Sequence, residues 1–314
     1  MHKPIALVTR IDKASEQEWL ALLADQLPDE NILCFSDMSE TERKSAEIAI
    51  VADPDPAQVA ELPGLAWIQS LWAGVERLVA ELGVGAPTIV RLVDPELSRV
   101  MAEAVLAWTL YLHRDMPIYR QQQQDRVWEQ QPYRHPSRYT VGILGLGALG
   151  MASANRLKEA GFVVKGWSRS PKEASGIESF TGDDGLIAVL GGSDVVVCLM
   201  PLTDETRGLL DSRRLAAMKE GAALINFARG PIVVDADLIA ALDAGHLSHA
   251  VLDVFHEEPL PAASPFWRHP KVTVLPHISA PTDQHTAAAI VAANIRAYRA
   301  TGALPQTVDI ERGY

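Results

Sequence analysis

Residues Val141-Gly142-Ile143-Leu144-Gly145-Leu146-Gly147-Ala148-Leu149-Gly150 place a G-x-G-x-x-G loop directly after a strand-like apolar run and at the start of a helical one. In that order Gly145 permits a tight turn, Gly147 lets a pyrophosphate approach the backbone, and Gly150 lets helix and strand pack closely. The helix N-terminus then presents free N–H groups and a partial positive charge to the phosphates. A bare match arises by chance from structural glycines in turns. Between a strand and a helix it predicts dinucleotide binding on a parallel sheet.

The next strand bears on which dinucleotide. A site for NAD usually places Asp or Glu about 20 residues on, where the carboxylate accepts from the ribose 2′-OH. Here that strand ends Gly166-Trp167-Ser168-Arg169-Ser170-Pro171-Lys172, with no acid. Ser168, Arg169 and Ser170 supply two hydroxyls and a guanidinium, which suit a 2′-phosphate. NADPH is therefore expected over NADH; the other reading is a surface loop with an incidental arginine.

At about 150 residues per domain, a chain of 314 residues holds two domains. Its 28 basic and 40 acidic residues give a net charge of −12, which argues against nucleic-acid binding. With 48% hydrophobic and 22% charged residues, the chain can bury a sizeable core. Cys34 and Cys198 lie far apart and read as reduced core residues, with no disulfide framework and no metal site. The N-terminus runs straight into a strand pattern without a secretory signal, and no apolar stretch approaches ~18 residues. A soluble, cytoplasmic protein with no membrane partner is expected.

Short apolar runs alternate with amphipathic segments along the whole chain. Strand candidates in the first third are 5–9, 32–35, 48–52, 66–71 and 89–93, with a helix at 16–26 capped by Ser15. One long helical pattern covers about 95–124, ending in four glutamines read as a solvated helix face. From 140 to 275 a second series gives strands at 141–144, 163–167, 194–200, 223–227, 250–254 and 272–275, with helices at 149–160, 211–219 and 235–244. A final helix spans about 282–301. Regular βα alternation with apolar strands predicts α/β architecture: a doubly wound parallel sheet, with a second domain built from both chain ends.

Three further motifs follow the glycine loop. Leu224-Ile225-Asn226-Phe227-Ala228-Arg229-Gly230 delivers an arginine at a strand end. Leu252-Asp253-Val254-Phe255-His256-Glu257-Glu258-Pro259-Leu260 delivers carboxylates, and Val274-Leu275-Pro276-His277-Ile278-Ser279-Ala280 a histidine. Open α/β sheets bind ligands at such carboxyl ends. Taken singly, each has a bland reading as a salt-bridge partner, a solvated acidic turn or a packed histidine. Together they supply an anion clamp, an acid–base imidazole and a carboxylate to raise its pKa.

With these motifs the chain resembles the D-isomer-specific 2-hydroxyacid dehydrogenases, and within them the short glyoxylate/hydroxypyruvate reductase branch. The resemblance covers nearly the whole chain. It includes Leu71-Trp72-Ala73-Gly74-Val75, the P-x-T-x-x-T segment Pro201-Leu202-Thr203-Asp204-Glu205-Thr206, and the terminal Arg312-Gly313-Tyr314. It implies a Rossmann domain at 101–281 and a smaller flavodoxin-like substrate domain made of 1–100 and 282–314. It also implies Arg229 as the substrate-binding arginine, His277 as general acid/base and Glu258, which directly precedes Pro259, as its carboxylate partner. Asp253 would contact the nicotinamide carboxamide and Ala228 would line the cofactor, with Ala148, Leu149, Met200, Pro201, Arg229 and His277 also in its site. Backbone N–H groups at Ala73, Gly74 and Val75 would hold the carboxylate of a 2-oxo or 2-hydroxy acid. Trp72 is either a wall of that pocket or a core aromatic. The missing acid after the second strand departs from the family's NAD pattern and fits the branch that uses NADPH. Family members pair as homodimers, and the long 95–124 segment exceeds what one domain needs.

Other classes remain open at this level. A non-enzymatic dinucleotide sensor could share the fold. A D-2-hydroxyacid dehydrogenase of different substrate range fits the same motifs. A tyrosine-based short-chain reductase needs Tyr-x-x-x-Lys, and no tyrosine has lysine four residues later. A methyltransferase would leave the Arg–Glu–His set unexplained.

Overall fold

The computed structural model describes residues 2–83, 85–173 and 175–309, so the Arg312-Gly313-Tyr314 end lies outside the described residues. The chain divides into two compact units, 1–96 with 282–314, and 97–281. The first contains β1 (Ile5–Thr9), α1 (Lys13–Gln26), β2 (Ile32–Cys34), α2 (Glu40–Ser45), β3 (Ile48–Ala52), α3 (Pro56–Ala60), β4 (Trp67–Ser70), α4 (Glu76–Leu82) and β5 (Thr88–Val90). Helix α5 (Pro95–His113) spans the crossing into the second unit, followed by α6 (Met116–Asp125), β6 (Thr140–Leu144), α7 (Ala148–Glu159) and β7 (Val163–Trp167). Next come β8 (Glu178–Phe180), α8 (Gly182–Gly192), β9 (Val195–Cys198), α9 (Ser212–Ala216) and β10 (Ala223–Asn226). The unit closes with α10 (Asp235–Asp243), β11 (His249–Leu252) and β12 (Val272–Val274), after which α11 (Gln284–Thr301) returns to the first unit.

Both sheets are wholly parallel. The first runs β2-β1-β3-β4-β5, the flavodoxin-like order expected for the smaller domain. Its strands bury both faces. Ile5 and Leu7 join Trp19 and Leu23 of α1 and Val291 and Ile295 of α11, whereas Ala6 and Val8 join Val59, Leu62 and Leu78 on the other side. The second sheet runs β12-β11-β10-β9-β6-β7-β8, the doubly wound Rossmann order with one strand added. Val196 and Leu224 pack under α8, α9 and α10, and Val195, Val197 and Ile225 pack under α5 and α7.

Three local features differ from the sequence reading. Helix α1 starts earlier, because Asp12 rather than Ser15 caps it, accepting from the N–H groups of Ala14 and Ser15 at 3.1 Å each. The single 95–124 helix is two helices. Pro117 has no N–H to donate and its ring would strike the carbonyl four residues back, so the chain turns at Asp115 with φ 54°. Strand β8 and helix α8 have no counterpart among the elements expected from sequence: β8 is only three residues long and α8 is bounded by glycines.

One buried histidine gives the fold a pH dependence. His249 opens β11 with Nε2 2.9 Å from Thr273 Oγ1, and burial, with the charges of His269 and Arg120, depresses its pKa to about 4. The unfolded chain protonates this imidazole near pH ~6.5 while the folded one does not. Stability is therefore expected to fall below that pH, by about 2 kcal/mol at pH ~5. Urea titrations from about pH 7 to about pH 5 should show a smaller loss for His249→Gln than for wild type.

Candidate active site

The chain leaves β6 outward through β7 and β8, then crosses to β9 on the opposite side. That reversal is a topological switch point, where open α/β sheets bind ligands. Gly145 sits there with φ 105°, its N–H donating to the Trp167 carbonyl at 2.8 Å. A Cβ on it would stand 2.8 Å from the Met200 nitrogen, so side chains are excluded by space as well as by φ. A Cβ on Gly150 would overlap the Gly145 carbonyl oxygen, so this glycine seats α7 on the loop itself. Nothing lies within 4 Å of where a Gly147 Cβ would be. Among the described residues the N–H groups of Leu146 and Gly147 find no acceptor, and no side chain caps α7 ahead of Ala148 and Leu149. This open cradle of N–H donors fits a pyrophosphate.

At the end of β7, Arg169 and Ser170 are exposed, and no acid stands among residues 168–172. Ser168 is placed differently from the sequence reading. It is buried, and its hydroxyl donates to the Ser170 carbonyl at 2.8 Å, which shapes the loop. Met200 is buried beside Gly145, and the Pro201 carbonyl accepts from the Thr206 hydroxyl at 2.7 Å, closing the turn after β9.

The ends of β10, β11 and β12 bring the remaining residues together. Beyond β10, Asn226 braces the turn: its Oδ1 accepts from the Ala228 N–H at 3.2 Å and its Nδ2 donates to the Arg229 carbonyl at 3.1 Å. Ala228 is buried, and its carbonyl accepts from Arg229 Nη1 at 2.7 Å. A Cβ on Gly230 would overlap the backbone of Phe255 and His256, so only glycine lets the β10 and β11 loops meet here.

Glu258 and not Glu257 faces the imidazole. Its Oε2 lies 2.7 Å from His277 Nδ1, and its Oε1 accepts from the Phe255 N–H at 2.9 Å. The bond to Glu258 raises the His277 pKa above the ordinary imidazole value, against burial and the nearby Arg229 charge. Burial alone would push the Glu258 carboxyl up. The bonds from His277 and the Phe255 amide outweigh it and hold the carboxyl below the usual range. His277 adopts φ 55°, a left-handed conformation that costs on the order of 1–3 kcal/mol unless its surroundings enforce it.

Asp253 is the enforcing group. It is buried, and its two oxygens accept from the N–H groups of Ile278 at 2.7 Å and Ser279 at 2.9 Å. The family resemblance implies a cofactor contact for Asp253, and this hold on two backbone amides is a second task that no sequence pattern signals. Asn226 and Gly230 were likewise missed as supporting residues, because an amide in a strand and a glycine in a turn carry no chemical signature.

The first unit holds its own feature. Among the described residues the N–H groups of Ala73, Gly74 and Val75, in the segment before α4, have no acceptor. Trp72 packs against the core of the first unit. It stacks edge-on against Trp19 with centroids 6.2 Å apart and lines a cavity of about 70 Å³ with Ser70 and Gly74.

Residues 106–279 match the family model of D-isomer specific 2-hydroxyacid dehydrogenase, NAD binding domain. A glyoxylate/hydroxypyruvate reductase A of Yersinia enterocolitica is 38% identical over 306 residues, 95% of this chain and 96% of the relative. One of Serratia proteamaculans is 38% identical over 305 residues, with the same coverage of each chain. Among solved structures, a D-isomer specific 2-hydroxyacid dehydrogenase of Xanthobacter autotrophicus in complex with NADPH and MES superposes with TM-score 0.91, at 37% identity over 100% of both chains. An NADPH-dependent glyoxylate/hydroxypyruvate reductase of Sinorhizobium meliloti in complex with NADP and sulfate also gives 0.91, at 32% identity over 100% of both. The chain belongs to the D-isomer specific 2-hydroxyacid dehydrogenase family.

Proposed function

We propose that the protein uses NADPH to reduce small 2-oxo acids, glyoxylate and hydroxypyruvate, to glycolate and D-glycerate. The observation that carries this reading is the 2.7 Å Glu258–His277 pair beside Arg229 at the carboxyl end of a dinucleotide-type sheet. The names of the Yersinia and Serratia relatives, and the NADPH and NADP complexes of the two solved neighbours, support the choice of substrate and cofactor.

In this reading 97–281 is the cofactor-binding unit, and 1–96 with 282–314 is the substrate unit. Gly145, Gly147 and the α7 N-terminus hold the pyrophosphate, with Ala148, Leu149, Met200, Pro201 and Ala228 around the cofactor. Arg169 and Ser170 hold the 2′-phosphate. The bound nicotinamide supplies the hydride. The Ala73-Gly74-Val75 amides take the substrate carboxylate, and Arg229 grips the carboxylate and carbonyl edge in a charge-assisted fork. Protonated His277 gives its Nε2 proton to the carbonyl oxygen as negative charge develops there. Glu258, bonded to Nδ1, keeps the ring oriented and protonated until that transfer. Asp253 holds the turn that aims the imidazole.

A panel of 2-oxo acids assayed with NADPH and NADH side by side tests the reading. Turnover of glyoxylate and hydroxypyruvate with NADPH is expected, and no turnover of any 2-oxo acid would overturn it. Arg169→Ala should weaken NADPH more than NADH by about 10- to 150-fold, because a charged hydrogen bond contributes roughly 1.5–3 kcal/mol. Equal changes in the two KM values would remove Arg169 from the 2′-phosphate site.

The homodimer belongs to the same proposal. Helix α6 buries none of its side chains, and Met116, Ile118, Tyr119, Val127 and Trp128 on and after it are exposed, Trp128 at 97%. A short helix with no buried face gains little stability alone, and exposed apolar patches of this kind mark association surfaces. Light scattering should give about twice the 34.1 kDa chain mass, and a mass of one chain at micromolar concentration would count against the dimer. The two free, buried cysteines fit a reducing compartment, and we place the reaction in the cytoplasm. Among the described residues no helix is long and apolar enough to cross a membrane.

A further inference from the structure

We propose that His256 is a positioning residue: its imidazole latches the loop bearing Glu258 onto the segment that follows Arg229. The Phe255–His256 backbone rests against Gly230, which has no side chain with which to hold it. The directional tie comes from His256, whose Nε2 lies 3.1 Å from the Val233 carbonyl oxygen and 3.5 Å from Asp235 Oδ1. A carbonyl only accepts, so Nε2 carries a hydrogen and the tie forms whether the ring is neutral or charged. The anchor is firm. The Val233 N–H donates to the Gly230 carbonyl at 3.1 Å, and the Val234 N–H donates to the Leu210 carbonyl at 3.1 Å.

Asp235 supplies the second half of the latch from the first turn of α10, its carboxyl pushed up by burial and drawn back down by His256. Two residues beyond His256, Glu258 accepts from the Phe255 N–H and from His277. One short loop thus supplies one member to each of two His–carboxylate pairs. The Glu258–His277 pair does the proton chemistry, and the His256–Asp235 pair fixes where Glu258 stands relative to Arg229. The groups whose charge reaches His277 are Glu258, Arg229 and Asp253, whereas His256 meets Asp235 from α10 and lies beside Glu257 and Glu258 in its own loop. Releasing the latch lets Glu258 drift from the imidazole it supports.

The test uses the full-length protein, with glyoxylate and NADPH, and two variants at this half-exposed position. In His256→Asn the amide is too short to reach Val233; in His256→Gln the amide nitrogen falls near the position of Nε2. His256→Asn should move the alkaline limb of kcat/KM down by roughly half a pH unit or more and lower kcat about 10-fold, with KM for NADPH unchanged. His256→Gln should restore most of both. A His256→Asn limb coincident with wild type overturns the proposal, whatever happens to rate or Tm. Equal shifts in both variants also overturn it, because the donor bond is then not the cause. The proposal rests on the acid–base assignment to Glu258 and His277. A wild-type profile with no alkaline limb would remove that assignment, whereas a wild-type limb unmoved in His256→Asn removes only the role of His256.

Discussion

His277→Ala is expected to lower kcat/KM for glyoxylate reduction by about 10²–10⁴-fold, the usual contribution of a positioned proton donor. Affinity for NADPH, read from its fluorescence, should change little, because the Gly145 loop and Arg169 are untouched. The imidazole stands at the end of β12 with φ 55°, and Asp253 binds the next two amides. Alanine removes the proton donor while Asp253 still holds the turn. Steady-state assays of the purified variant check this directly. A loss below about 10-fold would mean that another group, or water, protonates the alkoxide.

Gly230→Ala should be nearly as damaging, although residue 230 has no side chain and touches no proton in the reaction. Its Cβ would overlap the Phe255 carbonyl, which is backbone and has little room to yield. The β10 and β11 loops must then part, carrying Arg229 away from Glu258. A displacement of about 1 Å in such a constellation costs on the order of 10²-fold in rate, and overpacking costs about 1–3 kcal/mol in stability. The expected result is a fall of about 10²-fold or more in kcat/KM, with a lower Tm and NADPH binding within a few-fold of wild type. Wild-type kinetics in Gly230→Ala would show that the two loops need not meet for catalysis.

The features legible in the sequence are those whose chemistry or geometry repeats. Gly145, Gly147 and Gly150 are legible because a strand, a tight turn and a helix in that order leave few alternatives to glycine. Both parallel sheets are legible because buried strands such as Val195–Cys198 read as continuous apolar runs. The break at Asp115 falls where Arg114, Asp115 and Pro117 end the apolar stripe of Val100, Ala104, Ala107, Leu110 and Tyr111, and a single helical pattern drawn on to Gln124 passes over that proline. Support by Asn226 and Asp253 was hidden for a different reason. Their bonds go to backbone amides that only the folded turn brings within reach, and backbone has no sequence signal. Ser168 shows the converse, a residue of the right type whose hydroxyl bonds within its own loop. Glu257 and Glu258 were separable by the neighbouring Pro259, and the structure turns Glu258 to the imidazole.

The most direct measurement is the pH dependence of kcat/KM for NADPH-driven glyoxylate reduction, from about pH 5 to about pH 9, in wild type and in Glu258→Gln. The bond to Glu258 raises the His277 pKa, and reduction needs the protonated ring. The wild-type rate should therefore be level at low pH and fall as pH rises through a value above the ordinary ~6.5. Oxidation of glycolate, which needs the neutral ring, should show the opposite limb. Glu258→Gln removes the charge but keeps a hydrogen-bonding side chain, so the reductive limb should move to lower pH with NADPH binding nearly unchanged. Superimposable profiles for wild type and Glu258→Gln would contradict the Glu258–His277 pairing as the source of the transferred proton.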